Sequence, residues 1–424
     1  MFQKRNILWF FLLFVSVLVG QTRIKTMFYN TLNYNSNTES EAKTPFLKTI
    51  LDDVQPDVFM VCEIKNEAAS NYLFTNAILP FNDNFKKADF KTSQSPATDL
   101  LQMVYYNSNK LTLLFNAVIP TGVRDINHYT FQLNTDDAAT NPIRLEVFVT
   151  HLKASRGYDN MQKREESVDL FVRELNRIDP NSYILFAGDF NFYTSNEAGF
   201  LKIINTSNSI QMIDPINRLC PEFPNNGIDY FDENNYDATY FWNNSSFADV
   251  HSQSTRSAQL NGDGAGGGMD DRFDFIMISK NLTTSNNLYY VENSYKTIGN
   301  NGNCYNSFVS NTDCSGEFSQ SLRNALFNFS DHLPIALELE SSKNTLNVTY
   351  HPVSILTSNY VTDYLSLKVD KSVRTIKIYN TLGQVVYQTE NKKSEKTDIN
   401  VSHLVNGLYY LKADNYKPLK ILKK

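Results

Sequence analysis

A chain of 424 residues with 42% hydrophobic content and only 16 Gly and 13 Pro is long enough for two or three domains and too apolar to be disordered. Its charge is uneven: residues 350–424 hold twelve Lys and Arg against six Asp and Glu, a balance of +6, so the whole-chain value of −6 leaves −12 for residues 1–349. An acidic body argues against a protein that grips polyanions through a broad basic face, and suits one whose clustered carboxylates are offset by divalent cations.

At the N-terminus Lys4 and Arg5 precede an apolar run from Ile7 to Val19, and Gly20-Gln21 offers a cleavage point. Residues 1–20 read as a secretory signal peptide, since thirteen apolar residues are too few to span a bilayer comfortably. Export permits disulfides, and Cys304 and Cys314, close together in an Asn-rich loop, are expected to pair. Cys62 lies in an apolar strand and reads as a small buried hydrophobe. With no Cys-x-x-Cys, a thiolate zinc site is not expected.

Residues 23–30 alternate as a strand ending in Asn30, and residues 40–54 read as a helix. Residues 57–63 are almost wholly apolar, a strand buried on both faces that closes on Glu63. A carboxylate there is costly unless it is paired or binds a cation, although a helix over 66–79 would also welcome an acid at its start. Residues 100–106 and 111–118 are predicted to form a hairpin. The strand 144–150 runs into His151-Leu152-Lys153, and an amphipathic helix over 162–178 crosses to the next strand, 183–188. That strand ends in Gly188-Asp189-Phe190-Asn191, which alone is either an Asx turn or a site. Residues 195–270 are loop-rich, and the glycines at 262–268 read as a rim loop, because no Gly-Lys-Ser/Thr follows. Asp274 is expected inside the strand that follows, where it needs a partner such as a histidine. Ser330-Asp331-His332-Leu333-Pro334 supplies one just before a last strand, 335–340. After a linker at 341–349, residues 350–424 show short β-patterns separated by turns, a small immunoglobulin-like sandwich.

Taken in order, Phe-Tyr-Asn30, Val-Cys-Glu63, Thr-His151-Leu, Gly-Asp189-Phe-Asn191, Arg272-Phe-Asp274-Phe-Ile and Ser-Asp331-His332-Leu-Pro resemble the endonuclease/exonuclease/phosphatase superfamily across residues 23–340, within a catalytic domain expected over 21–340. The resemblance implies a deoxyribonuclease I-like fold, a four-layered α/β sandwich with two packed mixed sheets. The tail, with Ile376-Lys-Ile-Tyr-Asn-Thr-Leu-Gly383 and Asn406-Gly407-Leu-Tyr-Tyr-Leu, resembles the type A sorting domain of the type IX secretion system. Tyr350-His-Pro352 stands nearest to that family's Tyr-Pro-Asn-Pro opening. This implies export through the outer membrane to the cell surface or medium, with the secretion machinery as a partner.

The first resemblance implies a phosphodiesterase, most simply an endonuclease on DNA or RNA, working as a monomer. The same chemistry on a phospholipid, in the manner of a sphingomyelinase or a phosphatase, is the alternative. Tyr240-Phe241-Trp242 is then a candidate for the membrane-touching segment, and equally a candidate for the core. An inactive surface-binding protein on this fold is the third reading. For an enzyme, Glu63 would hold Mg²⁺ or Mn²⁺ (or Ca²⁺), with Asn30 and Asp331 completing the shell. His332, oriented by Asp274, would act as base or polarise the phosphate. Asp189 would orient or deprotonate water, Asn191 would stabilise charge, and His151 would touch a phosphate oxygen or protonate the leaving group. Lys153 and Arg272 are either phosphate contacts or ion-paired cations.

Overall fold

The computed structural model describes residues 22–424 apart from 97, 225–236, 344–352, 356–359, 370–372, 391–395 and 415–417. The signal segment 1–20, most of the linker and Tyr350-His-Pro352 lie outside the described residues. The chain divides into two compact units, residues 1–346 and 347–424. No helix of the described residues is long and apolar enough to cross a membrane.

The first unit opens with β1 (Thr22–Tyr34), α1 (Thr38–Val54), β2 (Val58–Ile64), α2 (Glu67–Leu73) and α3 (Leu79–Phe81), followed by β3 (Phe85–Lys87) and β4 (Leu101–Asn107). Next come β5 (Leu111–Ile119), β6 (Ile126–Leu133), β7 (Arg144–His151), α4 (Tyr158–Leu175), β8 (Tyr183–Asp189), α5 (Ala198–Ile203) and β9 (Met212–Ile213). It closes with β10 (Asp274–Ser279), α6 (Asn281–Thr284), β11 (Leu288–Tyr290), β12 (Lys296–Thr297), α7 (Gln320–Phe329) and β13 (Ile335–Ser341). Among the described residues one sheet runs β11-β13-β1-β2-β4-β3 and the other β5-β6-β7-β8-β10-β9.

Period-two alternation assigns each face of the second sheet. Leu145, Val147, Val149, Leu185, Ala187, Ile276 and Ile278 share one core with the first sheet and with Leu47, Ile50 and Leu51 of α1 and Leu326 and Phe329 of α7. Phe148, Phe186, Phe275 and Met277 point the other way, onto Val168, Phe171 and Leu175 of α4 and Phe200 of α5. The layers are therefore helix, sheet, sheet, helix, the four-layered α/β sandwich expected. Helix starts are locally encoded. The Asn37 side chain accepts from the Ser40 amide at 2.9 Å, and Ser319 caps α7 through the Leu322 amide at 3.2 Å.

One expectation fails. Residues 100–106 and 111–118 do not pair as a hairpin: β4 belongs to the first sheet and β5 to the second, where it pairs with β6. The turn between them looks like a hairpin turn, but it is anchored elsewhere. Asn107 Nδ2 and Lys110 Nζ both donate to the Asp57 carboxylate, at 3.0 and 2.7 Å. Those bonds turn the chain out of the first sheet, where β4 lies between β2 and β3, and lead it to β5 at the edge of the second.

Gly188 is needed where β8 passes β7. A Cβ there would stand 2.4 Å from the Thr150 carbonyl oxygen and 2.6 Å from its Cγ2, too near for any side chain. Gly188→Ala is expected to destabilise the first unit by about 1–3 kcal/mol or more by forcing the strands apart. Urea denaturation followed by intrinsic fluorescence measures this, and an unchanged midpoint would contradict it.

In the second unit β14 (Val353–Ile355), β16 (Tyr364–Val369) and β19 (Lys396–Asn400) form one sheet. The strands β15 (Tyr360–Val361), β21 (Leu419–Lys423), β20 (Gly407–Ala413), β17 (Thr375–Asn380) and β18 (Val385–Glu390) form the other. Leu365, Leu367, Ile376, Ile378, Ile399 and Leu411 fill the space between them, giving the small all-β sandwich expected.

Candidate active site

Strand register brings three of the expected site residues into one row. Parallel pairing sets His151 of β7 beside Asp189 of β8, and antiparallel pairing sets Asp274 of β10 on Asp189's other side. Asp274 opens its strand rather than lying inside it, so its carboxylate emerges at the edge where β8 ends. Asp189 follows Leu185 and Ala187 on the inner face, and therefore points at the first sheet.

The first sheet answers through two irregularities. The β1–β2 register shifts between Asn30 and Tyr34, and the β2–β4 register shifts between Val61 and Ile64. At these bulges Leu32, Asn33 and Glu63 all have left-handed backbones, with φ of 49°, 48° and 63°. Such positions cost non-glycine residues energy, and bulges of this kind re-aim side chains. Here they turn Glu63 from the buried face of β2 towards Asn30. The Glu63 Oε2 accepts from the Asn33 amide at 2.8 Å, and its Oε1 accepts from Asn30 Nδ2 at 3.0 Å. The same Asn30 nitrogen donates to Asp189 Oδ2 at 3.1 Å. Asn30 thus turns its NH₂ to the carboxylates, while its Oδ1 accepts from the Leu32 amide at 3.0 Å.

Asp189 Oδ1 accepts from the Asn191 backbone amide at 3.2 Å and from its side-chain Nδ2 at 2.8 Å. Asn191 is itself left-handed at φ 52°. The Gly-Asp-Phe-Asn stretch is therefore an Asx turn and part of the cluster together, and the two readings were never exclusive. Phe190 between them is fully buried.

His332 Nδ1 donates to Asp274 Oδ2 at 2.7 Å, the pairing that a carboxylate on β10 requires. The other ring nitrogen lies 3.7 Å from Asp189 Oδ2. His151 Nε2 lies 3.4 Å from the same oxygen and 3.9 Å from Glu63 Oε1. Asp331 is drawn to the glycine-rich segment instead. Its Oδ2 accepts from the Ala265 amide at 2.7 Å and from Gln253 Nε2 at 3.2 Å. Gly264, at φ +80°, allows that approach, since a Cβ there would stand 3.0 Å from the Asp331 carboxylate. The ligand atoms of Glu63, His151 and Asp189 all lie within 4.8 Å of one another, as do those of Asp189, Asp274 and His332.

Arg272 and Lys153 differ in their surroundings. Arg272 is buried in a two-pronged pair with Asp214, at 2.8 Å to each oxygen, with its guanidinium 4.3 Å from the Phe275 ring centre. It is structural. Lys153 is half-buried, and its Nζ donates to the Ala154 carbonyl.

Several site neighbours carry no signal in the sequence. Ser252 Oγ donates to Asp274 Oδ2 at 2.6 Å. Gln253 Nε2 lies 2.5 Å from His332 Nε2, so the orientation of this amide must follow the ring's proton. Arg124 holds the Leu152 carbonyl at 2.6 Å, next to His151. Arg164, fully buried, joins the two segments that follow His151 and Asn191. It donates to Glu197 Oε2 at 2.7 Å and to the Lys153 carbonyl at 2.9 Å. These are single polar residues in irregular segments, and only the folded chain reveals what they face.

The electrostatics are those of a crowded acidic site. Burial first, then repulsion from Asp274 and Glu63, outweighs attraction by His332 and pushes the Asp189 carboxyl up to about 7. Burial pulls His332 towards its neutral form, but Asp274, Asp331 and Asp189 overcome it and hold the pKa well above the ordinary value. Burial, then Arg124, holds His151 well below its ordinary value, so that ring is neutral at pH 7. His151 Nδ1, Asp274 Oδ1 and Asp331 Oδ1 are buried without a hydrogen-bond partner. Unpartnered buried polar atoms beside an ionisation-resistant carboxylate mark a site short of positive charge. Its oxygen-rich donors fit a hard divalent cation.

Residues 359–424 match the family described as "Secretion system C-terminal sorting domain". The second unit is such a sorting domain, and the protein is exported by the type IX route to the cell surface or the extracellular space. No curated protein matches the chain. Similar solved structures include an endonuclease/exonuclease/phosphatase family protein from Bacteroides thetaiotaomicron, 12% identical, covering 76% of this chain and 99% of that one at a TM-score of 0.45. An endonuclease/exonuclease/phosphatase from Bacteroides vulgatus is 14% identical, with coverages of 76% and 99% and a TM-score of 0.45. The human Nocturnin catalytic domain with bound sulfate is 14% identical, with coverages of 75% and 97% and a TM-score of 0.43.

Proposed function

We propose that residues 21–340 are a secreted, divalent-metal-dependent phosphodiesterase of the endonuclease/exonuclease/phosphatase superfamily that cleaves nucleic acid. The Asn30 amide carries the reading: one NH₂ group binds Glu63 from the first sheet and Asp189 from the second, so the fold closes its two sheets on a cluster of carboxylates. Burying that much like charge is strongly destabilising unless a ligand repays it.

Glu63 would hold the cation, with the unpartnered Oδ1 of Asp331 at its margin, while Asn30, expected as a ligand, turns its NH₂ to Glu63 and orients that carboxylate instead; once bound, the ion would neutralise charge on the phosphate. The chain's own groups do the rest. Asp189, pinned by Asn191 and Asn30, is placed to orient a water and take its proton. His332, charged by its carboxylate neighbours and fixed by Asp274, meets a phosphate oxygen through Nε2. Asn191 adds an amide donor at the phosphoryl centre. His151, neutral, offers a hydrogen bond to a phosphate oxygen and is poorly suited to protonating a leaving group.

One observation counts against a lipid substrate. Phe241 and Trp242, which a membrane-touching loop would expose, are each only 1% exposed and belong to the core. Beside the site, an open pocket of about 840 Å³ is lined by Lys65 and Arg256 and equally by Glu39, Asp263, Phe46 and Phe329, a mixed wall that favours neither substrate. The test incubates the full chain and Mg²⁺ or Mn²⁺ with plasmid DNA, RNA, sphingomyelin vesicles and bis-p-nitrophenyl phosphate. Cleavage of a nucleic acid and the small diester is expected. Turnover of sphingomyelin alone would overturn the substrate, and no turnover of any substrate would overturn the enzyme.

A further inference from the structure

We infer that Lys43 is a positioning residue for Glu63 and Asn30, holding in place the two peptide groups on which both side chains rest; the inference builds on the cation-dependent reading above. Lys43 lies in the second turn of α1, away from the row of acids and imidazoles. Its Nζ donates to the Thr31 carbonyl at 2.9 Å and to the Leu32 carbonyl at 2.6 Å. It sits beneath the rings of Tyr34 and Phe329, 5.7 and 5.3 Å from their centres.

Those two carbonyls belong to two consecutive peptide groups. The Thr31 carbonyl shares its plane with the Leu32 N–H, which donates to Asn30 Oδ1. The Leu32 carbonyl shares its plane with the Asn33 N–H, which donates to Glu63 Oε2. One ammonium therefore grips the oxygen end of both peptides whose nitrogen ends hold the site. The hold is needed because Leu32 and Asn33 are both left-handed, a conformation a free chain leaves readily. A cation on a peptide oxygen also strengthens that peptide's N–H as a donor. A mere space-filler would need neither the charge nor contact with both carbonyls.

Lys43→Met keeps the stem and removes the charge. Two measurements on the full chain test it against wild type: Mn²⁺ affinity by electron paramagnetic resonance, and hydrogen exchange of the 31–34 amides in cation-free protein. The expected results are Mn²⁺ binding weakened about 10- to 100-fold, the range for groups that orient metal ligands, and exchange accelerated locally with the rest of the first unit unchanged. Wild-type affinity together with wild-type exchange would overturn the inference. Should Lys43→Met fail to fold, Lys43→Ala is measured with and without propylammonium, which can enter through the adjoining cavity that Lys43 lines. Restored protection supports the positioning role, and a folded variant that no amine restores overturns it. If wild type itself binds no Mn²⁺, the cation reading falls, and the exchange comparison alone decides whether Lys43 holds the two peptides.

Discussion

Asp189→Asn is expected to lower kcat on a phosphodiester by about 10³–10⁴-fold with little change in KM, the scale of a general base removed from a transition state. The substitution keeps the side chain's shape, so the hydrogen bond from Asn191 can persist while the charge and the basicity are lost. The same variant is expected to be more stable than wild type in cation-free buffer at pH 8. Burial and the neighbouring Asp274 and Glu63 raise the Asp189 pKa to about 7, so keeping this carboxylate ionised at pH 8 works against folding on the order of a few kcal/mol. Removing the charge should release that strain. A residue with only a structural role would lose stability and activity together; here they should move in opposite directions, as in other sites that sacrifice stability for function. His332→Ala should cost about 10²–10⁴-fold. The double variant should be far from multiplicative, because Asp189 and His332 lie 3.7 Å apart and each shifts the other's charge. Steady-state kinetics with thermal melts on the same preparations decides the matter, and a folded Asp189→Asn variant with undiminished kcat would remove Asp189 from the chemistry.

What the sequence disclosed about this site follows from cost. A carboxylate closing an apolar strand is expensive, so Glu63, Asp189 and Asp274 stood out before any partner was known, and a buried Asp274 called for a histidine that the Asp331-His332 pair could supply. The layers were equally legible: the alternation of residues 144–150 and the amphipathic helix before Pro180 fix which face of the second sheet meets α4. What stayed hidden depends on contacts far apart in the chain. Asp57 diverts the turn at residues 107–110, and nothing local distinguishes that turn from a hairpin's. The left-handed turns at Leu32 and Glu63 are invisible because neither residue type favours them; they persist through bonds made by Lys43 and Asn33. Arg272 looked available because its partner, Asp214, lies 58 residues away. Ser252 and Gln253 are two polar residues in a long loop until Asp274 and His332 are folded against them.

Divalent cation should stabilise the first unit more at pH 8 than at pH 5.5, and EDTA should abolish turnover. The sign follows from Asp189. Its pKa in the folded chain, about 7, stands above the ordinary value of 3.8. For this group, stability of the cation-free fold is greatest below about pH 4 and is lost as pH rises through 7. A cation competes with that proton, so apparent affinity should rise across the same interval as the carboxylate is freed. At 100 times Kd a ligand stabilises by about 2.7 kcal/mol, and each tenfold loss of affinity at lower pH removes about 1.4 kcal/mol of it. Thermal melts with and without Mg²⁺ at the two pH values read this directly. Glu63→Gln should remove most of the gain at either pH, because an amide cannot supply the charge. Equal gains at pH 5.5 and pH 8, or an undiminished gain in Glu63→Gln, would place the cation elsewhere and leave the carboxylates of the two sheets without the ion that makes their proximity tolerable.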